Sequence, residues 1–234
     1  MKNIVEYPVS LSSLLGYVTD MLKAWDAWDH IEENVEYTVS GTTMLGTFFY
    51  PDSIRKVALV VQILDDQHPV VGGVQICQVD TYSSIVVLKS LSVVDAIGAI
   101  QCMQNNTALC ISIYRNDAEG MPTTTPISFF VANTVSQSDG TSGSAIGVYT
   151  YEDDANTGYV LYTSNQTYEV SYPIVSGASY TTLLPLIGLN QGVLSGIYYP
   201  LMLEDAVVKV KTMHIKDKTF YRCGVATMID YYVG

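Results

Sequence analysis

Three acidic side chains and one amide crowd into a short stretch, Glu152-Asp153-Asp154-Ala155-Asn156-Thr157-Gly158. Asp154, Asn156 and Gly158 fall at alternate positions, as at the opening of a calcium loop, where oxygens two residues apart converge on one ion. The distal bidentate glutamate of such a loop is missing. Asp, Asn and Gly are also ordinary turn formers, so a solvated hairpin turn explains the same residues. Asp65-Asp66 is a second charge pair and has the same alternative. The histidines, His30, His68 and His214, stand apart from each other and from the cysteines. No zinc spacing arises from them, and no Ser/His/Asp triad can be drawn. Gly192-Val193-Leu194-Ser195-Gly196 places its serine wrongly for a nucleophile elbow, and no phosphate-binding glycine loop is present. A pair of carboxylates distant in sequence could still meet in space and cleave a glycosidic bond. Otherwise the residue types and spacings assign no catalytic residue, no metal site and no cofactor.

Cys77, Cys102, Cys110 and Cys223 form no CxxC pair. Cys77 (VQICQV) and Cys110 (ALCISI) sit in apolar runs and read as core thiols. All four are expected to be reduced. Asn105-Asn106-Thr107 and Asn165-Gln166-Thr167 match the glycosylation sequon. Without a secretory leader such matches arise by chance.

The elements that must position these residues are mostly strands. The exception opens the chain. Leu11, Leu14, Leu15, Val18, Met21, Leu22, Trp25 and Trp28 follow the 3, 4, 7 spacing of one helical face. A helix over Leu11 to Trp28 is expected, with Ser10, Ser12 or Ser13 as its cap. Its stripe either packs on the protein's own sheet or docks on a neighbouring subunit, since Trp is enriched in interface cores. Glu36 to Val39 and Thr43 to Tyr50 flank Ser40-Gly41-Thr42 as a hairpin. Val57 to Leu64 is strand-like, though the preceding Pro51-Asp52-Ser53 could also start a helix; Val70 to Val79 and Ile85 to Leu88 are strand-like, and Leu109, Ile111 and Ile113 alternate. Ser92 to Met103 is open between strand and a second short helix that Gly98 weakens. Gly120 to Pro126, with two prolines and three threonines, reads as a loop or domain junction. Beyond it, Ile127 to Ala132, Ala145 to Tyr151 and Tyr159 to Thr163 are expected to pair, with Ser136 to Ser144 as a loop tip. Val207 to Ile215 and Thr219 to Gly224 form a hairpin around Lys216-Asp217-Lys218. The expected fold is mainly β, sandwich-like or jelly-roll-like, with one N-terminal amphipathic helix. It divides into residues 1–120 and 121–234 or forms a single domain.

The chain of 234 residues is 48% hydrophobic and carries 18 tyrosines, but only 15% of it is charged. Ordinary soluble domains carry about 25% charged residues. So little charge covers an exterior poorly and points to surface buried against other subunits. A net charge of −12 argues against non-specific nucleic-acid binding and against docking on an anionic membrane. The first residues lack a charged segment leading into an apolar one, so synthesis in a cytoplasm is expected. The paired aromatics Trp25/Trp28, Tyr198/Tyr199 and Tyr231/Tyr232 are the candidate interface residues, since stable interfaces favour aromatic anchors.

The C-terminal third adds a resemblance. Ile197-Tyr198-Tyr199-Pro200 is followed by the hairpin over Val207 to Gly224, whose return strand reads Lys218-Thr219-Phe220-Tyr221-Arg222-Cys223-Gly224. This ending, with the polar texture of Val135 to Tyr151, resembles tailed-bacteriophage virion structural proteins. The N-terminal helix with Trp25 and Trp28 departs from that pattern. The resemblance is one of texture. It implies a β-rich subunit of a head, neck or tail, located in the virion, whose partners are other virion proteins and copies of itself. It carries over no functional residue. The alternative is a receptor- or glycan-binding module using tyrosines near Ser136 to Ser144 or Glu152 to Tyr159.

Overall fold

The computed structural model describes residues 2–6, 10–25, 28, 30–51, 54–95, 98–104, 108–115, 127–133, 144–150, 158–162, 167–171, 186–190, 193–198, 201–202, 212–215, 218–223 and 226–229. Strand β1 (Lys2–Glu6) precedes helix α1 (Leu11–Trp25). Five strands follow: β2 (His30–Val39), β3 (Thr42–Tyr50), β4 (Val57–Gln62), β5 (Val74–Thr81) and β6 (Ser84–Ser90). Next come β7 (Gly98–Gln104), β8 (Ala108–Arg115), β9 (Ile127–Asn133), β10 (Ser144–Thr150), β11 (Gly158–Tyr162) and β12 (Thr167–Ser171). The described C-terminal strands are β13 (Leu186–Asn190), β14 (Val193–Tyr198), β15 (Leu201–Met202), β16 (Thr212–Ile215), β17 (Lys218–Cys223) and β18 (Ala226–Ile229). Among the described residues the fold is mainly β with one N-terminal α-helix, and every strand pair is antiparallel.

α1 starts where Ser10 caps it. Ser10 Oγ accepts from the Ser13 N–H at 3.1 Å, and its carbonyl takes the Leu14 N–H at 3.0 Å. This satisfies donors that a helix start leaves open. The apolar stripe, Leu14, Leu15, Val18, Met21, Leu22 and Trp25, is buried as its spacing predicts. The helix stops at Trp25 and does not reach Trp28. Trp28 still joins the core, its ring meeting that of Trp25 edge-on at 6.0 Å.

β2 to β6 form a five-stranded meander in sequence order. Ser40 and Gly41 turn β2 into β3 with φ of 50° and 83°, the two positive values that a tight hairpin of this hand requires. The sheet then rolls until its first and last strands approach, and the Thr38 N–H donates to the Tyr82 carbonyl at 2.8 Å across the seam. Bulges drive the curl. One lies between Glu32 and Val35, where Asn34 takes φ 55°, a value Asn tolerates better than most residues. Two more interrupt the β5–β6 pairing. Rolling gives the sheet an interior of its own, filled by Tyr37, Met44, Phe48, Tyr50, Ala58, Val60, Cys77, Val79 and Ile85. Gly46 leaves room for it, because a Cβ there would stand 2.9 Å from Val60 Cγ1.

The second sheet has seven strands in the order β1-β7-β8-β9-β10-β11-β12. Its core face is laid down in rows by the register: Ile100, Ile113 and Ile127 in one, Cys102, Ile111 and Phe129 in the next, then Leu109, Val131 and Ile146. These residues, the α1 stripe, both tryptophans and the outer face of the roll (Phe49, Val57, Leu59, Val61, Val74 and Ile76) make one continuous core. The helix is therefore enclosed by the two sheets. On the opposite face of the long sheet, Cys110 and Ser112 are buried, and β17 runs against β7 and β8. β17 belongs to a four-stranded sheet ordered β15-β18-β17-β16.

Among the described strands the layering is that of a sandwich, and the order is largely a meander, with non-consecutive neighbours at β1–β7 and β15–β18. β9, β10 and β11 pair as expected, as do the two strands of the late hairpin. β8 pairs with β9, so one sheet continues across the boundary between residues 1–120 and 121–234. Within Ser92 to Met103 the described residues hold no α-helix. Val93–Asp95 make a single 3₁₀ turn, and Gly98–Gln104 are strand β7, held between β1 and β8.

Candidate functional site

Among the described residues, three groups of polar side chains gather in and around the rolled sheet. Glu32 on β2, Tyr50 on β3, Arg55 between β3 and β4, and Tyr82 in the β5–β6 turn form one group. Tyr82 donates its hydroxyl hydrogen to Glu32 Oε2, so at 2.8 Å the Tyr50 hydroxyl donates to Tyr82. Arg55 Nη1 meets Glu32 Oε1 at 2.5 Å, and its guanidinium lies 5.8 Å over the Tyr50 ring. Burial first, and Glu32 second, push the Tyr50 hydroxyl well above the usual tyrosine range. Both Glu32 oxygens are engaged and both hydroxyls have acceptors. The group offers no free base and no activated nucleophile. What it does is tie the first strand of the roll to its last turn.

Gln62 and Gln75 centre a second group inside the roll. Gln62 Nε2 donates to the Tyr37 hydroxyl at 2.8 Å, and that hydroxyl donates to Gln75 Oε1 at 3.2 Å. Gln62 Oε1 accepts the backbone N–H of Val71 at 2.8 Å and of Gly73 at 2.9 Å. Gln75 Nε2 donates to the Val71 carbonyl at 2.7 Å. Two buried amides thus pin the β4–β5 connection. That connection runs through Gly72 and Gly73, both at φ 81°. Gly73 packs so closely on Val93 and Leu15 that a Cβ would stand 2.6 Å from Val93 Cγ2. Burial, partly offset by Gln62, raises the Tyr37 hydroxyl well above its ordinary range.

On the outside of the same connection, Asp65 Oδ1 accepts the N–H groups of Gln67 and His68 at 2.9 and 2.6 Å. Its Oδ2 lies 2.8 Å from His68 Nδ1, and His68 Nε2 is 3.6 Å from Glu36 Oε1. The hydrogen bond from His68 holds the Asp65 carboxyl below the usual carboxylate range. Asp65 therefore acts as a turn former, as its sequence allowed. Among the described residues, no three His, Cys, Asp or Glu gather as a group able to hold a metal. Asp154 and Asn156 lie outside them.

The candidate interface residues are placed as follows. Trp25 and Trp28 are 8% and 6% exposed and belong to the chain's own core. Tyr198 ends β14, while Tyr199, Tyr231 and Tyr232 lie outside the described residues. Large apolar side chains are exposed instead at Ile54, Leu64, Val71 and Val86. Gln62 and Gln75 were not singled out by sequence reasoning. Their signal was a glutamine inside an otherwise apolar strand, VALVVQ and VQICQV.

Cys77, Cys102 and Cys110 are buried, and burial pushes the Cys77 thiol up to about 12. Since the thiolate is the reactive form, these groups should alkylate slowly in the native protein. After denaturation without reductant, thiol titration should find four free groups for the four cysteines of the chain. Two or none would overturn the reduced assignment. No helix among the described residues is long and apolar enough to cross a membrane. Comparison with protein-family models, with curated proteins and with solved structures finds no match.

Proposed function

We propose that the chain is a structural subunit of a phage particle, a head, neck or tail component that acts through protein–protein assembly. One observation carries the reading: among the described residues, the polar groups gathered at the roll are engaged in holding the roll itself together. Glu32, Tyr50, Arg55 and Tyr82 close the roll, and Tyr37, Gln62 and Gln75 fix its longest connection. A chain 48% hydrophobic and 15% charged, displaying apolar side chains at Ile54, Leu64, Val71 and Val86, fits a protein whose exterior is completed by neighbours. Its partners on this reading are copies of itself and other virion proteins.

The test is twofold. Mass spectrometry of purified particles from the source should find the chain in many copies. Light scattering of the isolated chain at micromolar concentration should find an oligomer. A clean monomer that is also missing from particles would reject the proposal.

A further inference from the structure

We infer that β1 is a self-complementary edge through which two copies of the chain join their long sheets antiparallel about a two-fold axis at Ile4. This rests on the assembly reading and names one contact within it. Among the described residues β1 is the terminal strand of the seven-stranded sheet and pairs on one side only, with β7. An edge strand presents unpaired backbone N–H and C=O groups along its free side, which is a template for another strand. The sequence of β1 is Lys2-Asn3-Ile4-Val5-Glu6. Laid antiparallel on a second copy with Ile4 at the centre, Lys2 stands across from Glu6, Asn3 across from Val5, and Ile4 across from itself. Both charged positions meet their opposites, twice per dimer, and a β-branched residue lies on the axis. Opposite charges directly across an antiparallel pair stabilise it, and like charges there destabilise it. A parallel pairing in the same register would set Lys2 on Lys2 and Glu6 on Glu6. The contact is isologous, so it closes at two copies. A five-residue ladder is small beside a standard interface, so the dimer is weak alone and gains strength where other contacts already bring subunits together.

Sedimentation of the full chain tests this with two reversals, Lys2→Glu and Glu6→Lys. Each alone turns both cross-axis pairs repulsive and should weaken self-association about tenfold or more. An equimolar mixture of the two should associate at wild-type strength, because each reversed residue then meets its opposite. Should the reversals disturb folding, Asn3→Cys and Val5→Cys provide a second measurement. Under oxidation the mixture of these two chains should give a disulfide-linked dimer well beyond what either gives alone. Paired strands hold opposed Cα atoms about 4.5–5.5 Å apart, within disulfide reach. A wild-type chain that stays monomeric overturns the inference. Oligomers that both reversals leave unchanged, with no selective cross-linking, overturn β1 as the contact while the assembly reading stands.

Discussion

Gln62→Leu is expected to destabilise the protein by about 2–5 kcal/mol, although leucine matches the volume and suits a buried strand. The loss comes from what the amide leaves behind. Gln62 Oε1 accepts the backbone N–H groups of Val71 and Gly73, and Nε2 donates to the Tyr37 hydroxyl. The Gly73 N–H would be orphaned in a buried site and the Val71 N–H in a part-buried one, at about 1–3 kcal/mol apiece before relaxation, while the Tyr37 hydroxyl would keep only its bond to Gln75. The β4–β5 connection can relax outward to recover water, so the sum is an upper bound. That relaxation has its own cost, because Gly73 is packed on Val93 and Leu15 and the Gly72 carbonyl accepts the Val93 N–H at 2.7 Å. Urea denaturation should show a lower midpoint with an unchanged slope, the sign of lost stability without a change in exposed surface. Hydrogen exchange at Val71 and Gly73 should accelerate by more than the global loss requires. A change below about 0.5 kcal/mol, the range of ordinary surface substitutions, would mean that Gln62 is not the post of this loop.

How far the sequence foretold these features depends on whether one face or two faces of an element are buried. α1 was legible because its single apolar stripe has helical spacing. β8 was legible although both its faces are buried, because Leu109, Ile111 and Ile113 alternate with the smaller Cys110 and Ser112. In β4 the run VALVVQ is buried on both faces, outward against α1 and inward within the roll, so alternation is erased and only length and β-branching signal a strand. For the same reason the rolled interior was hidden. It depends on bulges at Glu32/Val35, Ile76/Cys77 and Val79/Thr81, and a bulge is a change of register that a strand sequence does not display. Ser92 to Met103 stayed open because Val93, Ile97 and Ile100 mimic helical spacing, while pairing with β1 and β8 makes Gly98–Gln104 a strand. β1 itself was missed: five residues give too short a window for period two. The polar groups were legible as types but not as a site. Glu32, Arg55 and Tyr82 meet only because the seam of the roll closes, and Gln62 reaches Val71 only because the connection folds back on two glycines at positive φ.

Trp25→Ala is expected to cost about 3–5 kcal/mol in the isolated chain, the range for removing a large aromatic ring from a core. Leu22→Ala, on the same stripe, should cost about 2–5 kcal/mol. Both residues lie in the core shared by α1, the roll and the long sheet, so their loss opens a cavity that three elements must collapse to fill. A helix serving an interface would behave otherwise: the tryptophan change would leave the subunit folded and abolish only assembly. Trp28 separates volume from polarity. It is buried against Trp25, yet its indole Nε1 has no hydrogen-bond partner among the described residues. An orphaned buried donor costs about 1–3 kcal/mol, so removing the N–H while keeping an aromatic ring offsets part of the lost packing. Trp28→Phe should therefore cost less than about 1.5 kcal/mol, whereas Trp28→Ala should cost about as much as Trp25→Ala. Thermal melts of the four variants decide the matter. If Trp25→Ala and Leu22→Ala melt with the wild type, α1 is not part of the core described. If Trp28→Phe is as damaging as Trp28→Ala, the indole nitrogen has an acceptor in solution and the polarity argument fails.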